Sequence, residues 1–205
     1  MKEDLVQYWK ATGMIKDEKL LQAFLRVPRE IFVLPEYAQH AYDDCPLPIL
    51  KGQTISQPST VMLMIQALEL KPTDVVLEVG SGSGYNAAIM AQLCKEVIST
   101  EIIPALAQFA KRNLHAAGIT NVTVLQRDGS LGYAAKAPYD KIIITAACRA
   151  IPQPLADQLK EHGIILIPIG DSAGQTMIKG VKKKGTLVTY DLGRFAFVPL
   201  QGAYA

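Results

Sequence analysis

Cysteine and histidine are scarce in this sequence, which limits the kinds of site it can form. The 205 residues include three cysteines and three histidines, and none of them fall at the spacing of a metal-binding motif. Structural zinc, a disulfide framework and any other bound metal are therefore not expected. Long apolar runs are also missing, so no membrane span is expected. The charged first residues do not resemble a secretory signal, and we expect a cytoplasmic protein.

An excess of charge of either sign is missing as well. Lys and Arg number 21 against 19 Asp and Glu, which gives a formal net charge of +2. Nucleic-acid surfaces usually carry a clustered basic stripe, so no nucleic-acid partner is expected. The one basic cluster, Lys182-Lys183-Lys184, precedes Gly185 and is interpreted as a hairpin turn in preference to a phosphate-binding patch. No apolar stripe is left over for a partner subunit, and a monomer is expected.

Apolar residues are plentiful, at 49% of the chain, which is enough to form a core. The length favours a single domain over residues 1–205. Within it we distinguish a helical and substrate-loop segment at 1–58 and an α/β core at 59–205. Apolar residues recur at helical spacing in the first segment, and Pro58 is predicted to open a helix.

From residue 74 onwards, short runs rich in β-branched residues alternate with helical patterns. These predict an α/β fold with a doubly wound, mostly parallel sheet, Rossmann-like in architecture. The tail, 176–183 and 186–198, is predicted to close the sheet as an antiparallel hairpin. Strands are predicted at 75–79, 96–101, 122–125, 141–145 and 164–169, and helices at 85–94, 104–117 and 154–161.

The first predicted strand of the core runs into a glycine turn, 80–84, with the spacing G-x-G-x-G. Glycines there allow a ligand to approach the backbone. Glu78 precedes the turn, and such a carboxylate would repel a dinucleotide's pyrophosphate but suit a cationic ligand with an amino group. Glu101 ends the second strand, where it can accept from both ribose hydroxyls. Candidate cofactor contacts from the turn are Gly80, Ser81, Gly82 and Gly84.

A third acid, Asp128, follows the third strand and is itself followed by Gly129. Its carboxylate can accept from an adenine amino group, and the glycine leaves space for the ring. A plain turn is the alternative for this pair alone. Taken with Glu78, the glycine turn and Glu101, the pattern resembles the class I S-adenosylmethionine-dependent methyltransferases.

Further motifs narrow this resemblance. The chain is similar, over nearly its whole length, to the protein-L-isoaspartate O-methyltransferase family, and the Thr-Ile-Ser-Gln-Pro stretch at 54–58 is the most specific part. Paired glycines are often found in the family where this chain has His162-Gly163. The motifs that carry the resemblance are Val27-Pro28-Arg29-Glu30-Ile31-Phe32, Gly52-Gln53-Thr54-Ile55-Ser56-Gln57-Pro58, Pro168-Ile169-Gly170 and Phe197-Val198-Pro199-Leu200.

The resemblance implies that S-adenosylmethionine is the cofactor and that damaged proteins and peptides with L-isoaspartyl residues are the substrates. It implies methylation of the free α-carboxylate, which starts repair to aspartate, and leaves S-adenosylhomocysteine as product. Ser56 matches the family's active-site serine and would orient the carboxylate. Thr54 would assist, the backbone at Val198 would pair with the peptide, and Ile55 and Gln57 would line the cofactor side.

Three alternatives stay open from the residues alone. One is a methyltransferase for another acceptor, such as a small molecule or RNA. Another is a nicotinamide-dependent oxidoreductase, disfavoured by the loop spacing and by Glu78. The third is a module that binds the cofactor or damaged peptides without turnover. Tyr85 could belong to the core or face the cofactor, and Asp43 could face the site or a surface loop, while His115 is expected on the surface.

Overall fold

The N-terminal part of the chain is helical, as its apolar spacing predicts. The computed structural model describes residues 2–205; residue 1 lies outside them. The three long elements here are α1 (Lys2–Thr12), α2 (Glu18–Arg26) and α3 (Pro58–Leu68). The Asp17 side chain caps α2 by accepting from two backbone N–H groups. Pro58 occupies the first turn of α3, where its missing N–H costs nothing.

A short antiparallel pair leads into α3. Strands β1 (Leu47–Pro48) and β2 (Thr54–Ile55) pair through Leu47 with Ile55 and through Pro48 with Thr54. Ile55 is buried and anchors the pair in the core, whereas Thr54 is exposed. The joint between β2 and α3 is therefore only two residues long, and it holds Ser56 and Gln57.

The centre of the molecule is a seven-stranded sheet with the order β5-β4-β3-β6-β7-β8-β9. The strands from β5 to β7 are parallel, and β8 and β9 are antiparallel to their neighbours. This confirms the predicted doubly wound sheet and its closing hairpin. The strands are β3 (Val75–Val79), β4 (Glu96–Glu101), β5 (Val122–Gln126), β6 (Tyr139–Ile144), β7 (Leu159–Asp171), β8 (Gly174–Lys183) and β9 (Thr186–Phe195).

Three helices connect the parallel strands, and two end earlier than predicted. The helix expected at 85–94 is α4 (Tyr85–Met90), and the one expected at 154–161 is α6 (Gln153–Asp157), after which β7 begins. The third, α5 (Pro104–Ala116), matches its prediction to within one residue. Both short helices end where a distant side chain binds a nearby carbonyl. Asn121 Nδ2 donates at 2.9 Å to the carbonyl of Ala91, the residue after α4, and Lys182 Nζ donates at 2.8 Å to the carbonyl of Ala156 in the last turn of α6.

The N-terminal helices and the sheet share one hydrophobic cluster. Trp9 and Phe24 are fully buried and pack edge to face, with ring centroids 4.8 Å apart. They belong to the same cluster as Met62 and Ile89 of the α/β part. The indole of Trp9 also donates to Ser59 Oγ at 2.7 Å. The start of α3 is therefore held by burial and by a hydrogen bond.

The basic cluster forms the predicted hairpin turn between β8 and β9. Lys184 and Gly185 both have positive φ, at 51° and 78°, as a tight two-residue hairpin requires. Their N–H groups donate to Glu161. On edge strand β9, the side chains of Val188, Tyr190 and Leu192 are exposed on one face, an apolar stripe that the sequence analysis did not predict. None of the helices within residues 2–205 is long and apolar enough to cross a membrane.

Candidate active site

The glycine turn lies where β3 ends, at the edge of the sheet to which the carboxyl ends of the parallel strands point. Gly80 has φ 97°, and a Cβ there would collide with the Thr145 hydroxyl, which follows β6. That hydroxyl donates to the Gly80 carbonyl at 2.7 Å. Only glycine fits at this position without displacing Thr145. The turn is thus held open towards the edge, where ligands of such sheets bind.

Glu101 ends β4 and lies against the same turn. Its carboxylate accepts from the Gly82 N–H and from the Ile103 N–H, both at 3.0 Å. The side chain is almost fully buried in protein, yet it lines a cavity at the sheet edge. This cavity brings together predicted residues from distant parts of the sequence. We call it the cofactor cavity, and its predicted lining residues are Thr54, Gly80, Gly82, Glu101, Gly129 and Val198.

Gly129 lines the cofactor cavity for a steric reason. A Cβ at this position would meet the Thr100 hydroxyl and would lie 2.7 Å from Val79 Cγ1. Within the protein, Asp128 makes contacts with backbone N–H groups. Its carboxylate accepts from the Ser130 N–H at 2.9 Å and from the Ala203 N–H at 2.8 Å. The alternative of a turn therefore describes the contacts of Asp128, and an adenine contact stays a prediction.

Glu78 is fully buried beneath the glycine turn and does not line the cofactor cavity. One carboxylate oxygen accepts from Asn86 Nδ2 at 2.9 Å, and the other accepts from the Ser99 hydroxyl. Burial raises the pKa of Glu78 to about 7, although both hydrogen bonds oppose the shift. Through Asn86 of α4 and Ser99 of β4, the carboxyl group links β3 to both neighbouring elements. These bonds stabilise the glycine turn from its buried side. A direct contact with a cationic ligand stays a prediction.

The raised pKa of Glu78 predicts a pH-dependent stability. The folded state binds more protons than the unfolded chain between the usual pKa of 4.5 and the folded pKa of about 7. Stability should therefore fall as pH rises through this interval, by on the order of 3 kcal/mol. Glu78→Gln should remove that part of the slope. Urea unfolding of both proteins from pH 5 to 8 measures it, and parallel profiles would contradict the assignment.

Ser56 and Thr54 lie where the cavities of the site meet. Ser56 is half-buried and lines both a small cavity under the glycine turn and a wide cleft of about 940 Å³. Thr54 lines these two and the cofactor cavity as well. Ile55 faces the small cavity, whereas Gln57 faces the wide cleft and neither of the smaller cavities. The cofactor contact predicted for Gln57 stays a prediction.

Val198 separates the cofactor cavity from the wide cleft and lines both. Its carbonyl accepts from the Ala147 N–H at 2.8 Å, and Leu200 N–H donates back to Ala147 O at 2.8 Å. The segment after β9 is thereby fastened beside the end of β6. The remaining predicted cofactor residues, Ser81 and Gly84, lie in the turn itself; Ser81 lines the small cavity and Gly84 packs against α5.

Sequence reasoning missed Thr145, Arg29 and Asp44. Thr145 lines all three cavities, and its place at the end of the strand predicted at 141–145 was a usable signal. Arg29 is fully buried and donates to the Ser56 carbonyl at 2.9 Å. The Asp44 carboxylate accepts from the Ser59 N–H at 2.9 Å. Both contacts join residues far apart in sequence, so local patterns carried no sign of them.

The side chains left undecided by the sequence are now placed. Tyr85 is buried, with its ring 5.5 Å from that of Phe32, and it also lines the small cavity. Asp43 is exposed and pairs with His40 at 2.8 Å, so it lies on the surface. His115 is exposed on α5, as expected. Within residues 2–205, no three His, Cys, Asp or Glu side chains form a group that could hold a metal ion.

The geometry of the cofactor cavity fits a nucleoside. Gly80 and Gly129 leave room that a Cβ would fill, and Glu101 supplies a carboxylate within the cavity. Ile102 and Leu106 add apolar lining on the same side. A carboxylate next to an apolar slot suits a ribose and its attached base.

Comparison with known proteins shows which family the chain belongs to. The model of the family described as protein-L-isoaspartate(D-aspartate) O-methyltransferase (PCMT) matches residues 1–205. A protein-L-isoaspartate O-methyltransferase of Methanoculleus marisnigri is 44% identical over 203 residues, covering 99% of this chain and 92% of that protein. One from Pyrococcus horikoshii is 48% identical over 202 residues, covering 97% and 92%.

Solved structures extend the agreement to three dimensions. A protein-L-isoaspartate O-methyltransferase superimposes with a TM-score of 0.91 at 32% identity, covering 100% of this chain and 67% of that one. A Plasmodium falciparum structure assigned to the same activity, in complex with S-adenosyl-L-homocysteine, has a TM-score of 0.85 at 27% identity and covers 98% of both chains. The chain belongs to the protein-L-isoaspartate(D-aspartate) O-methyltransferase family.

Proposed function

We propose that this protein transfers the methyl group of S-adenosylmethionine to the free α-carboxylate of L-isoaspartyl residues in damaged proteins. The ester would then cyclise to a succinimide that can reopen as ordinary aspartate. S-adenosylhomocysteine is the second product. Membership of the family supports this activity.

One observation carries the proposal: the segment Thr54–Ser56 lies between the cofactor cavity and a much larger open cleft. The cofactor cavity contains Glu101 and the glycine turn, and the wide cleft has the size for a peptide segment. Thr54 lines both, and Ser56 lines the cleft and the small cavity between them. An acceptor in the cleft would therefore meet the cofactor at this segment.

The chemistry asks for alignment more than for acid–base catalysis. An α-carboxyl group has a pKa of about 3.5, so it is ionised at neutral pH and needs no base. The cofactor supplies an electrophilic methyl group on a sulfonium leaving group. What the protein must do is hold the carboxylate oxygen in line with that methyl, and alignment of this kind can lower a barrier by roughly 7–11 kcal/mol.

Each predicted residue has a proposed part in that alignment. The Ser56 hydroxyl donates to the isoaspartyl carboxylate, Thr54 assists it, and the backbone at Val198 pairs with the peptide. Glu101 accepts from the ribose hydroxyls, and Gly129 leaves space for adenine. Contacts with the rest of the cofactor come from Ile55, Gln57, Glu78, Gly80, Ser81, Gly82, Gly84 and Asp128.

We further propose a single domain working as a cytoplasmic monomer, with 1–58 carrying the substrate loop and 59–205 the cofactor core. The shared hydrophobic cluster supports the single domain. The three cysteines are free thiols, as is usual in a reducing compartment. Edge strand β9 carries Asp191 and Arg194 beside its apolar stripe, and charges at an edge discourage pairing with another chain. Lack of a basic stripe argues against a nucleic-acid partner.

The test is a methyl-transfer assay with methyl-labelled S-adenosylmethionine, an isoaspartyl peptide and the matched aspartyl peptide. We expect base-labile label on the isoaspartyl peptide alone, because only its α-carboxylate is free within the chain. Cofactor binding without label on either peptide would contradict the proposal and favour a binding module. Label on RNA or a small molecule instead would favour another acceptor.

A further inference from the structure

Arg29 has no role in the proposed reaction as described so far, although it lies in the Val27–Phe32 motif. We propose that Arg29 is a positioning residue: its buried guanidinium fixes the Ser56 backbone relative to the glycine turn. The inference rests on the proposed function, because it concerns the alignment of that same acceptor carboxylate. It adds a residue that touches neither substrate nor cofactor.

The contacts of the guanidinium join three segments of the chain. Nη2 donates to the Ser56 carbonyl at 2.9 Å, and Nε donates to the Ala41 carbonyl at 2.6 Å. The Arg29 backbone N–H donates to the Tyr42 hydroxyl at 3.1 Å. The peptide group of Ser56 is therefore tied to a rigid, buried group instead of to a flexible surface side chain.

The other side of the same guanidinium contacts the cofactor half of the site. It lies over the ring of Tyr85, 4.8 Å from the centroid, and Tyr85 directly follows the glycine turn at Gly84. One side chain thus spans from the residue that would orient the acceptor to the loop that would hold the donor. A shift of Arg29 would change the distance between the two.

The cost of burying Arg29 indicates that it does more than fill space. It is fully buried, and its burial lowers its pKa. Among residues 2–205, no carboxylate lies within ion-pair distance of it, and its Nη1 has no hydrogen-bond partner. A buried cation without a counter-ion is expensive, and an apolar side chain would pack here at lower cost. What an apolar side chain lacks is the bond to Ser56.

Arg29→Lys tests the inference, since it keeps the charge but cannot make both carbonyl bonds in the same plane. We expect kcat/KM for the isoaspartyl peptide to fall by about 10- to 100-fold, the loss that a misplacement near 1 Å can cause. S-adenosylhomocysteine affinity should stay near that of the unsubstituted protein. In a Ser56→Ala background the same change should have little further effect, because the hydroxyl that Arg29 positions is gone.

Tyr42→Phe is the matched control. It removes the bonds of the Tyr42 hydroxyl with the Arg29 backbone N–H and Glu30. Both bonds of the Arg29 guanidinium, with the Ala41 and Ser56 carbonyls, remain, so Tyr42→Phe should lower Tm and leave kcat/KM unchanged. If Arg29→Lys does not fold, Tyr85→Leu can replace it, because it removes the ring beneath the guanidinium. Its loss of kcat/KM should likewise be smaller in a Ser56→Ala background.

Two results would overturn the inference: full activity of Arg29→Lys, or an equal loss with and without the Ser56 hydroxyl. Absence of methyl transfer by the unsubstituted protein in the same assay is a different failure. It would overturn the proposed function itself, and the positioning role with it.

Discussion

Replacing Glu101 by Ala is expected to weaken S-adenosylhomocysteine binding by at least about 100-fold, since each hydrogen bond to a charged group contributes about 1.5–3 kcal/mol and two ribose bonds are lost. The carboxylate also accepts from the Gly82 and Ile103 N–H groups, so its removal frees the glycine turn as well. Isothermal titration of the product into the purified protein measures the change. Glu101→Gln keeps the shape of the side chain but has one acceptor oxygen fewer. Its affinity for S-adenosylhomocysteine should therefore lie between those of the unsubstituted protein and Glu101→Ala.

Glu96 provides the control on the same strand. It begins β4 at the opposite end and pairs with Lys136 at 3.2 Å on the surface. Glu96→Gln removes the same charge from the same strand, so it should leave product affinity unchanged. Equal losses in the two variants would mean that overall charge, and not a ribose contact, sets the affinity.

Replacing Ser56 by Ala is expected to lower kcat/KM for the isoaspartyl peptide by about 10- to 100-fold, the loss that misalignment of a reacting group can cause. The carboxylate loses charge as the methyl arrives, so the bond to Ser56 weakens in the transition state. Its contribution must therefore come from orienting the oxygen. Product affinity should stay unchanged, because the hydroxyl acts on the acceptor. Initial rates over a range of peptide concentrations measure kcat/KM, and isothermal titration measures product affinity.

Ser59, three residues further on, should show the opposite pattern. Its hydroxyl accepts from Trp9 at 2.7 Å and donates to Asp44 at 2.6 Å, so Ser59→Ala should lower Tm and leave kcat/KM close to that of the unsubstituted protein. A Ser56→Ala variant with unchanged kcat/KM would contradict the orienting role. A lower Tm without a change in kcat/KM would mean that Ser56, like Ser59, has only a structural role.

The central sheet could be predicted because its signal is local. Strands buried on both faces must be nearly continuous apolar runs, and the runs at 75–79 and 96–101 match β3 and β4 residue for residue. Glu101 and Gly129 could be predicted for a related reason, since Glu101 ends β4 and Gly129 lies three residues after the end of β5. Once a strand is predicted from the sequence, the residues at its carboxyl end are predicted with it.

The errors share one cause, which is contact between residues far apart in the chain. The carbonyl of Ala91, just past the end of α4, accepts from Asn121, and α6 ends where Lys182 donates to the Ala156 carbonyl. No local pattern near either helix shows those partners. The same holds for the contact between Arg29 and the Ser56 carbonyl, which the sequence analysis missed. Tertiary contacts set where these two helices end and which residues support Ser56.

Thr54 and Val198 line the same cavity although 144 positions separate them in the printed sequence. During synthesis the glycine turn and Glu101 leave the ribosome well before Val198 does. A nascent chain therefore has one wall of the cavity missing until residues 198–201 emerge, and it cannot retain its cofactor tightly before then. Each new molecule becomes competent only once this wall has folded into place, when cofactor binding adds its own free energy to the stability of the fold.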